Sequence, residues 1–205
     1  MRKFLFFLFM LFAPVVLFAQ TVEITPFGGY VFPCTWYASN GSVYFYGNGQ
    51  YGGMISIGFS RVMDLDLIYN RSDTRGEVFI SNTMVNQQVP LSINYFQVGI
   101  TKNFRVNSVI SPFLGMNVGG VLMAPKEISY NDYWFFSVGF LGGTKIYFSK
   151  RVGLRLQAQL YFPVQGAGYM FYVGTGGTGG GATLYSALAQ FGFTGGLIFR
   201  LGKIN

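Results

Sequence analysis

From Leu154 to Phe162, inside the stretch RVGLRLQAQLYFP, the even positions read Leu, Leu, Ala, Leu and Phe, while the odd positions between them read Arg155, Gln157, Gln159 and Tyr161. Successive side chains on a strand point to opposite faces, so this period of two predicts a β-strand with one greasy and one polar face. The alternation recurs in seven other segments. Val22 to Phe32 sets Val22, Ile24, Tyr30 and Phe32 against Glu23, Thr25 and Gly29. Tyr51 to Ser60 carries Tyr51, Ile55, Ile57 and Phe59 on its greasy face. Met63 to Asn70 opposes Met63, Leu65, Leu67 and Tyr69 to Asp64, Asp66, Ile68 and Asn70. Asn94 to Lys102 opposes Phe96, Val98 and Ile100 to Tyr95, Gln97 and Thr101. Ser111 to Leu122 sets Leu114, Met116 and Val118 against Asn117 and several glycines. Phe135 to Phe148 sets Phe136, Val138, Phe140, Ile146 and Phe148 against Ser137, Gly139, Gly143 and Lys145. Gln190 to Leu201 opposes Phe191, Phe193, Leu197, Phe199 and Leu201 to Gln190, Thr194, Gly196 and Arg200.

The connections alternate in length. Ser60 to Val62, Arg105 to Ser108 and Ser149 to Val152 read as tight turns, whereas Pro33 to Gln50, Arg71 to Leu91, Met123 to Tyr133 and Val164 to Ala189 read as long loops. Short turns on one side and long loops on the other mark up-and-down outer-membrane barrels. Each strand also suits the roughly 9 to 11 residues that cross a bilayer at a tilt.

Composition decides which face meets solvent. Charged residues are 10% of the chain, against about 25% in ordinary soluble domains. A soluble sheet protein covers its exterior with Lys, Glu, Asp and Arg, and this chain lacks the stock. The 19% aromatic content and 29 glycines point the same way, to a hydrocarbon solvent bounded by aromatic belts. Open sheet edges in lipid cost several kcal/mol per unpaired backbone group, so the strands must close on themselves. The expected fold is all-β: an eight-stranded antiparallel up-and-down transmembrane β-barrel with short periplasmic turns and long extracellular loops.

The first residues add the compartment. Arg2 and Lys3, an apolar run interrupted by Pro14, and small Ala19 read as a cleavable signal peptide over residues 1–19, leaving one barrel domain over 20–205 and an integral outer-membrane location in a Gram-negative cell. Without Arg2 and Lys3 the balance is 12 basic against 7 acidic residues, net +5. The basic residues are scattered and form no stripe for phosphates, which weighs against nucleic acid. Cys34 is alone and cannot form an internal disulfide. The chain has no histidine, which removes the usual general base, so no catalytic residue, cofactor or metal is assigned and the reading is non-enzymatic.

Several residues carry candidate roles. Asp64 and Asp66 share the inner face, as do Glu23, Lys145, Arg155 and Arg200 near the turn side, and closure brings Glu23 beside Arg200. An eight-stranded interior is about wide enough for side chains to fill, so three acids and three bases there read as a salt-bridge plug, in preference to a cation site or acid–base pair. The first loop collects Trp36, Tyr37, Tyr44, Phe45 and Tyr46 around an Asn40-Gly41 hairpin tip. These aromatics extend the outer belt or form a sticky surface for an extracellular partner. Gly174, Gly176 and Gly179 have GxGxxG spacing but lack the helix and the later acid of a dinucleotide site, and read as an outer loop. The leading function is a structural or surface-interaction barrel. The alternative is a channel for small hydrophobic molecules through a wall gap, for which Pro26, Pro112 and Gly119-Gly120 are the candidate breaks in pairing.

Two stretches carry a family resemblance. The final strand TGGLIFRL presents Thr194, Gly196, Phe199 and Leu201 as polar-x-Gly-x-x-aromatic-x-apolar, and the hairpin GGTKIYFSKRVGLRLQAQLYFP precedes it. Together they resemble the outer membrane protein A-like family of small eight-stranded barrels, in its Bacteroidetes-type form, over essentially the whole mature chain. That resemblance implies that the four residues form an assembly signal. It also implies barrel-assembly machinery and periplasmic chaperones as partners in biogenesis, with outer-membrane lipids as the lasting surroundings. The chain departs from the pattern by continuing through Gly202, Lys203, Ile204 and Asn205.

Overall fold

A computed structural model describes residues 21–38, 41–80, 83–104, 109–126, 132–164 and 189–201. The signal-peptide reading, the Gly174–Gly179 loop, Asn40 and the last four residues lie outside the described residues. Among the described residues there are ten strands: β1 Thr21–Val31, β2 Cys34–Ala38, β3 Gly41–Phe45, β4 Asn48–Gly58, β5 Met63–Ile80, β6 Thr83–Asn103, β7 Ile110–Pro125, β8 Tyr133–Tyr147, β9 Val152–Val164 and β10 Gln190–Leu201. Eight of them close a barrel in the order β1-β4-β5-β6-β7-β8-β9-β10, the last pairing back on β1, all antiparallel. The hairpin β2–β3 is added where β3 pairs with the upper part of β5.

The expected turn at residues 105–108 lies outside the described residues, and the tight turns between β4 and β5 and between β8 and β9 lie together at one end. At the last of these, Ser149 Oγ accepts from the amides of Arg151 (3.2 Å) and Val152 (3.1 Å), a hydroxyl standing in for a backbone turn partner.

The wall has the polarity that alternation predicts. Leu114, Met116, Phe136, Phe140, Phe193, Leu197 and Phe199 are all exposed on the outside, with Leu114 and Trp134 at 62% and Phe148 at 66%. So large an apolar surface on a closed sheet is stable against lipid and not against water. Glu23, Asp66, Lys145, Arg155, Gln157 and Gln159 are buried inside.

Three expectations need correction. The expected long loop at residues 71–91 is strand at 71–80 and 83–91, because β5 and β6 pair continuously up to Val78–Gln87; above the apolar belt both faces are polar or covered, so the alternation that marks a strand fades there. Ile57 has outward parity but is buried at 8%, seated between Val22 and Leu65 in the register. The interior is not uniformly hydrophilic, since Phe27, Met54, Ile68, Phe113 and Leu141 form one inward apolar cluster and Phe45, Leu91, Ile93, Tyr95, Val121, Met123 and Tyr161 form another.

Candidate functional site

The most organised chemistry lies inside the barrel at the turn end. Glu23 is the third residue of β1 and pairs in register with Arg200 of β10. Lys145 comes near the end of β8, opposite Arg155 of β9. Asp64 and Asp66 enter from the first residues of β5. The period of two turns all six side chains into a space about as wide as the side chains themselves.

Lys145 Nζ reaches Glu23 Oε2 and Asp64 Oδ2, each at 2.8 Å. Glu23 Oε1 accepts from Arg200 Nη2 at 2.8 Å and from the Tyr147 hydroxyl at 2.8 Å. Asp64 also accepts from Asn103 at 2.8 Å, while Asp66 accepts from Thr101 at 2.5 Å and faces Arg155 Nη2 at 3.7 Å. Arg200 and Arg155 each sit over a ring, Tyr147 at 4.2 Å and Phe113 at 4.1 Å, adding cation–π attraction to the ion pairs. Asp64 and Asp66 thus share a face but engage different cations. Three acids meet three bases, and the ammonium of Lys145 occupies the point between Glu23 and Asp64 where a bound cation would otherwise be drawn. Among the described residues, no group of three or more His, Cys, Asp or Glu side chains is arranged to hold a metal ion.

A ladder of amides continues from this cluster toward the loop end. Arg155 Nε donates to Gln157 (2.8 Å), Gln157 to Gln159 (3.2 Å), and Gln159 across the lumen to Gln50 on β4 (2.8 Å), which also accepts from Asn70 (2.8 Å). The Gln50 amide donates to the carbonyls of Tyr30 on the adjoining β1 and Phe193 on β10 beyond it. Gly192 permits that approach, because a Cβ there would lie 2.7 Å from Gln50 Nε2. Above the ladder Tyr95 stacks on Tyr161 at 4.4 Å and donates to Gln190 at 2.7 Å. Sequence reasoning placed the charges and missed the apolar layers. Parity could have found them, since Phe27 shares its face with Glu23 and Thr25, and Phe113 shares its face with Asn117.

The other candidate residues are dispersed. Thr194 and Gly196 face inward and are buried on β10, whereas Phe199 and Leu201 are exposed outside. Of the loop aromatics, Trp36 and Tyr37 belong to β2, and only their strand positions are described. Tyr44 and Tyr46 pack edge to face at 4.9 Å. Phe45 is not a surface residue: it alternates inward from β3, opposite Gly76, and joins the upper apolar cluster with Leu91 and Ile93. Pairing runs unbroken through Pro112 and through Gly119-Gly120. It is interrupted at Pro26, where the β1–β10 ladder passes from Ile24–Phe199 to Phe27–Gly196. The Pro26 carbonyl points at β10, so the missing N–H is one that would have bonded across the closing seam.

A closed antiparallel sheet with a greasy exterior, a packed polar and aromatic interior and its turns gathered at one end is a transmembrane β-barrel. The sequence matches no protein-family model and no curated protein. Solved structures do share the architecture. Neisserial surface protein A superposes with a TM-score of 0.57 at 10% identity, over 89% of this chain and 98% of that one. OprG of Pseudomonas aeruginosa gives 0.57 at 8% identity, over 90% and 97%. The N-terminal β-barrel domain of Pseudomonas aeruginosa OprF gives 0.52 at 14% identity, over 89% and 98%. The fold is therefore that of the small eight-stranded outer-membrane barrels.

Proposed function

We propose that the protein is a non-enzymatic integral outer-membrane barrel of the outer membrane protein A-like type, with a structural or surface-interaction role and a lumen closed to steady ion flow. The observation that carries this reading is the filled interior: Lys145 held between Glu23 and Asp64, Arg155 over the Phe113 ring, and the Gln157–Gln159–Gln50 ladder above them. Its turn end faces the periplasm. Thr194, Gly196, Phe199 and Leu201 serve as the assembly signal, with outer-membrane lipids, periplasmic chaperones and the assembly machinery as partners. Planar-bilayer recording of the purified, folded chain tests the reading. Rare, small openings are expected, and sustained large conductance overturns it.

One observation favours a second reading, sideways passage of small hydrophobic molecules. The seam at Pro26 is short of a hydrogen bond, and a shallow cavity of about 360 Å³ on the outer wall is lined there by Pro26, Gly28, Leu154, Gly195 and Leu197. Phe27 lines its floor, and both Phe27 and Ile198 are buried, so this route requires their displacement. Comparing hydrophobic-solute uptake in cells carrying wild type, a deletion or Pro26→Val separates the two readings, since a structural protein leaves uptake unchanged in all three.

A further inference from the structure

A second cluster of charges lies on the outside of the wall, just beyond the aromatic belt at the loop end. Tyr69, Phe96 and Trp134 form a run of rings with centroids 5.1 and 5.9 Å apart. One strand step further, the outward positions change chemistry: Arg71, Asp73 and Arg75 on β5, Ser92 and Asn94 on β6, and Lys126 just past β7. Asp73 Oδ1 is held by Arg71 Nη2 at 3.0 Å and by Lys126 Nζ at 3.2 Å. The hydroxyl of Tyr51 donates to its other oxygen at 3.4 Å, and Asn48 donates to its main-chain carbonyl. Beside this group Arg75 is exposed and, among the described residues, forms no ion pair. With Tyr46, Gly47, Asn48 and Gln88 it lines a cavity of about 340 Å³.

The position restricts what such a site can hold. Its lower rim is an aromatic surface that faces hydrocarbon, while its upper part offers three cations against Asp73 and a Glu77 whose carboxylate takes the Tyr46 hydroxyl at 2.6 Å. The remaining polar groups of the cavity, Gln88 and Asn48, are uncharged donors and acceptors. A ligand that satisfies both rims has acyl chains below, phosphate at the boundary and hydroxyls above. We propose that this patch binds the headgroup of a phosphorylated glycolipid of the outer leaflet, with Arg75, Arg71 and Lys126 on phosphate and the Tyr46–Gln88 cavity around the sugar. The phosphate would take Arg75 as its principal partner, since the guanidinium fork matches its oxygens. Asp73 acts as the positioning residue that keeps Arg71 and Lys126 turned toward the same point.

The inference rests on the outer-membrane reading, and the experiment keeps the two apart. The full chain is folded into phosphatidylcholine vesicles with and without diphosphoryl lipid A, heat-modifiability on a gel reports folding, and native mass spectrometry of the solubilised protein reports bound lipid. Failure to fold in vesicles overturns the membrane reading. Folding with retention of lipid A by wild type, and about tenfold weaker retention by Arg75→Gln or Lys126→Gln, supports the proposal. Arg151→Gln, which removes an exposed cation at the turn end, is expected to bind like wild type. Equal retention by all variants overturns the site, as does equal binding of dephosphorylated lipid A. Displacement of the lipid by inorganic phosphate at matched concentration overturns the lipid assignment in favour of a free-phosphate site.

Discussion

The protein carries two networks of acids and bases, one inside the wall at the turn end and one outside it at the loop end, and the difference between them is burial. Lys145 bridges Glu23 and Asp64 with its side chain 2% exposed, whereas Lys126 reaches Asp73 with its side chain 51% exposed. Distances are alike, 2.8 Å against 3.2 Å. Inside, water cannot substitute for a lost partner, and each charge is obliged to its neighbours. Outside, each partner can be exchanged for solvent or for a ligand at little cost. The inner network is therefore suited to holding the barrel shut and the outer one to recognition.

The largest expected effect breaks the inner network. Lys145→Ala leaves Glu23 and Asp64 facing each other with no cation between them, a loss of about 3 to 5 kcal/mol. Urea titration of the folded protein in detergent, read by heat-modifiability, measures it. Combining Lys145→Met with Asp64→Asn removes the carboxylate that the single variant strands, while Glu23 keeps its Arg200 partner, and much of the stability is expected to return. Failure of that double variant to recover would mean that the ion pairs do more than cancel one another.

A smaller effect separates inner from outer wall by volume instead of charge. Gly143 faces the lumen where β8 and β9 approach, and a Cβ there would sit 2.0 Å from the Leu156 carbonyl oxygen and 2.7 Å from the Gln157 Cα, both backbone atoms. Gly143→Ala forces the strands apart at an expected cost of about 1 to 3 kcal/mol. Gly53 has open space around the same position. Gly53→Ala should be silent in the same titration.

These contrasts were only partly legible in the sequence. Strand existence, strand direction and face were readable wherever one face meets lipid, because lipid demands an apolar outer row: in β9 the residues between that row, Arg155, Gln157, Gln159 and Tyr161, all lie inside and buried. The reading failed where that solvent contrast ends. Above Tyr69 the run RSDTRGE has no greasy face, so nothing in it distinguishes strand from loop, and the pairing of β3 onto β5 depends on contacts distant in sequence. Inward apolar residues such as Phe113 and Ile198 were missed for another reason. Residue type alone does not tell an apolar side chain that fills the lumen from one that faces lipid; only its parity with Asn117 or with Thr194 and Arg200 does. The outer cluster was invisible because Arg71, Asp73 and Lys126 meet only through the β5–β6–β7 register.

The smallest expected effect is the most exacting test of the comparison. Arg71, and after it Lys126, holds the Asp73 carboxyl below its ordinary range, so in principle this network contributes stability above the unfolded carboxylate value and loses it as pH falls through the lowered one. Exposure of 35% and 34% on the two side chains of the Arg71–Asp73 pair leaves that contribution open to solvent and salt. Asp73→Asn is therefore expected to cost under about 1 kcal/mol at neutral pH, to cost nothing in high salt or in acid, and yet to weaken lipid A retention by loosening Arg71 and Lys126. A loss as large as that of Lys145→Ala, or one that persists in high salt, would show that the outer charges are structural in the same sense as the inner ones, and the division of labour between the two networks would have to be abandoned.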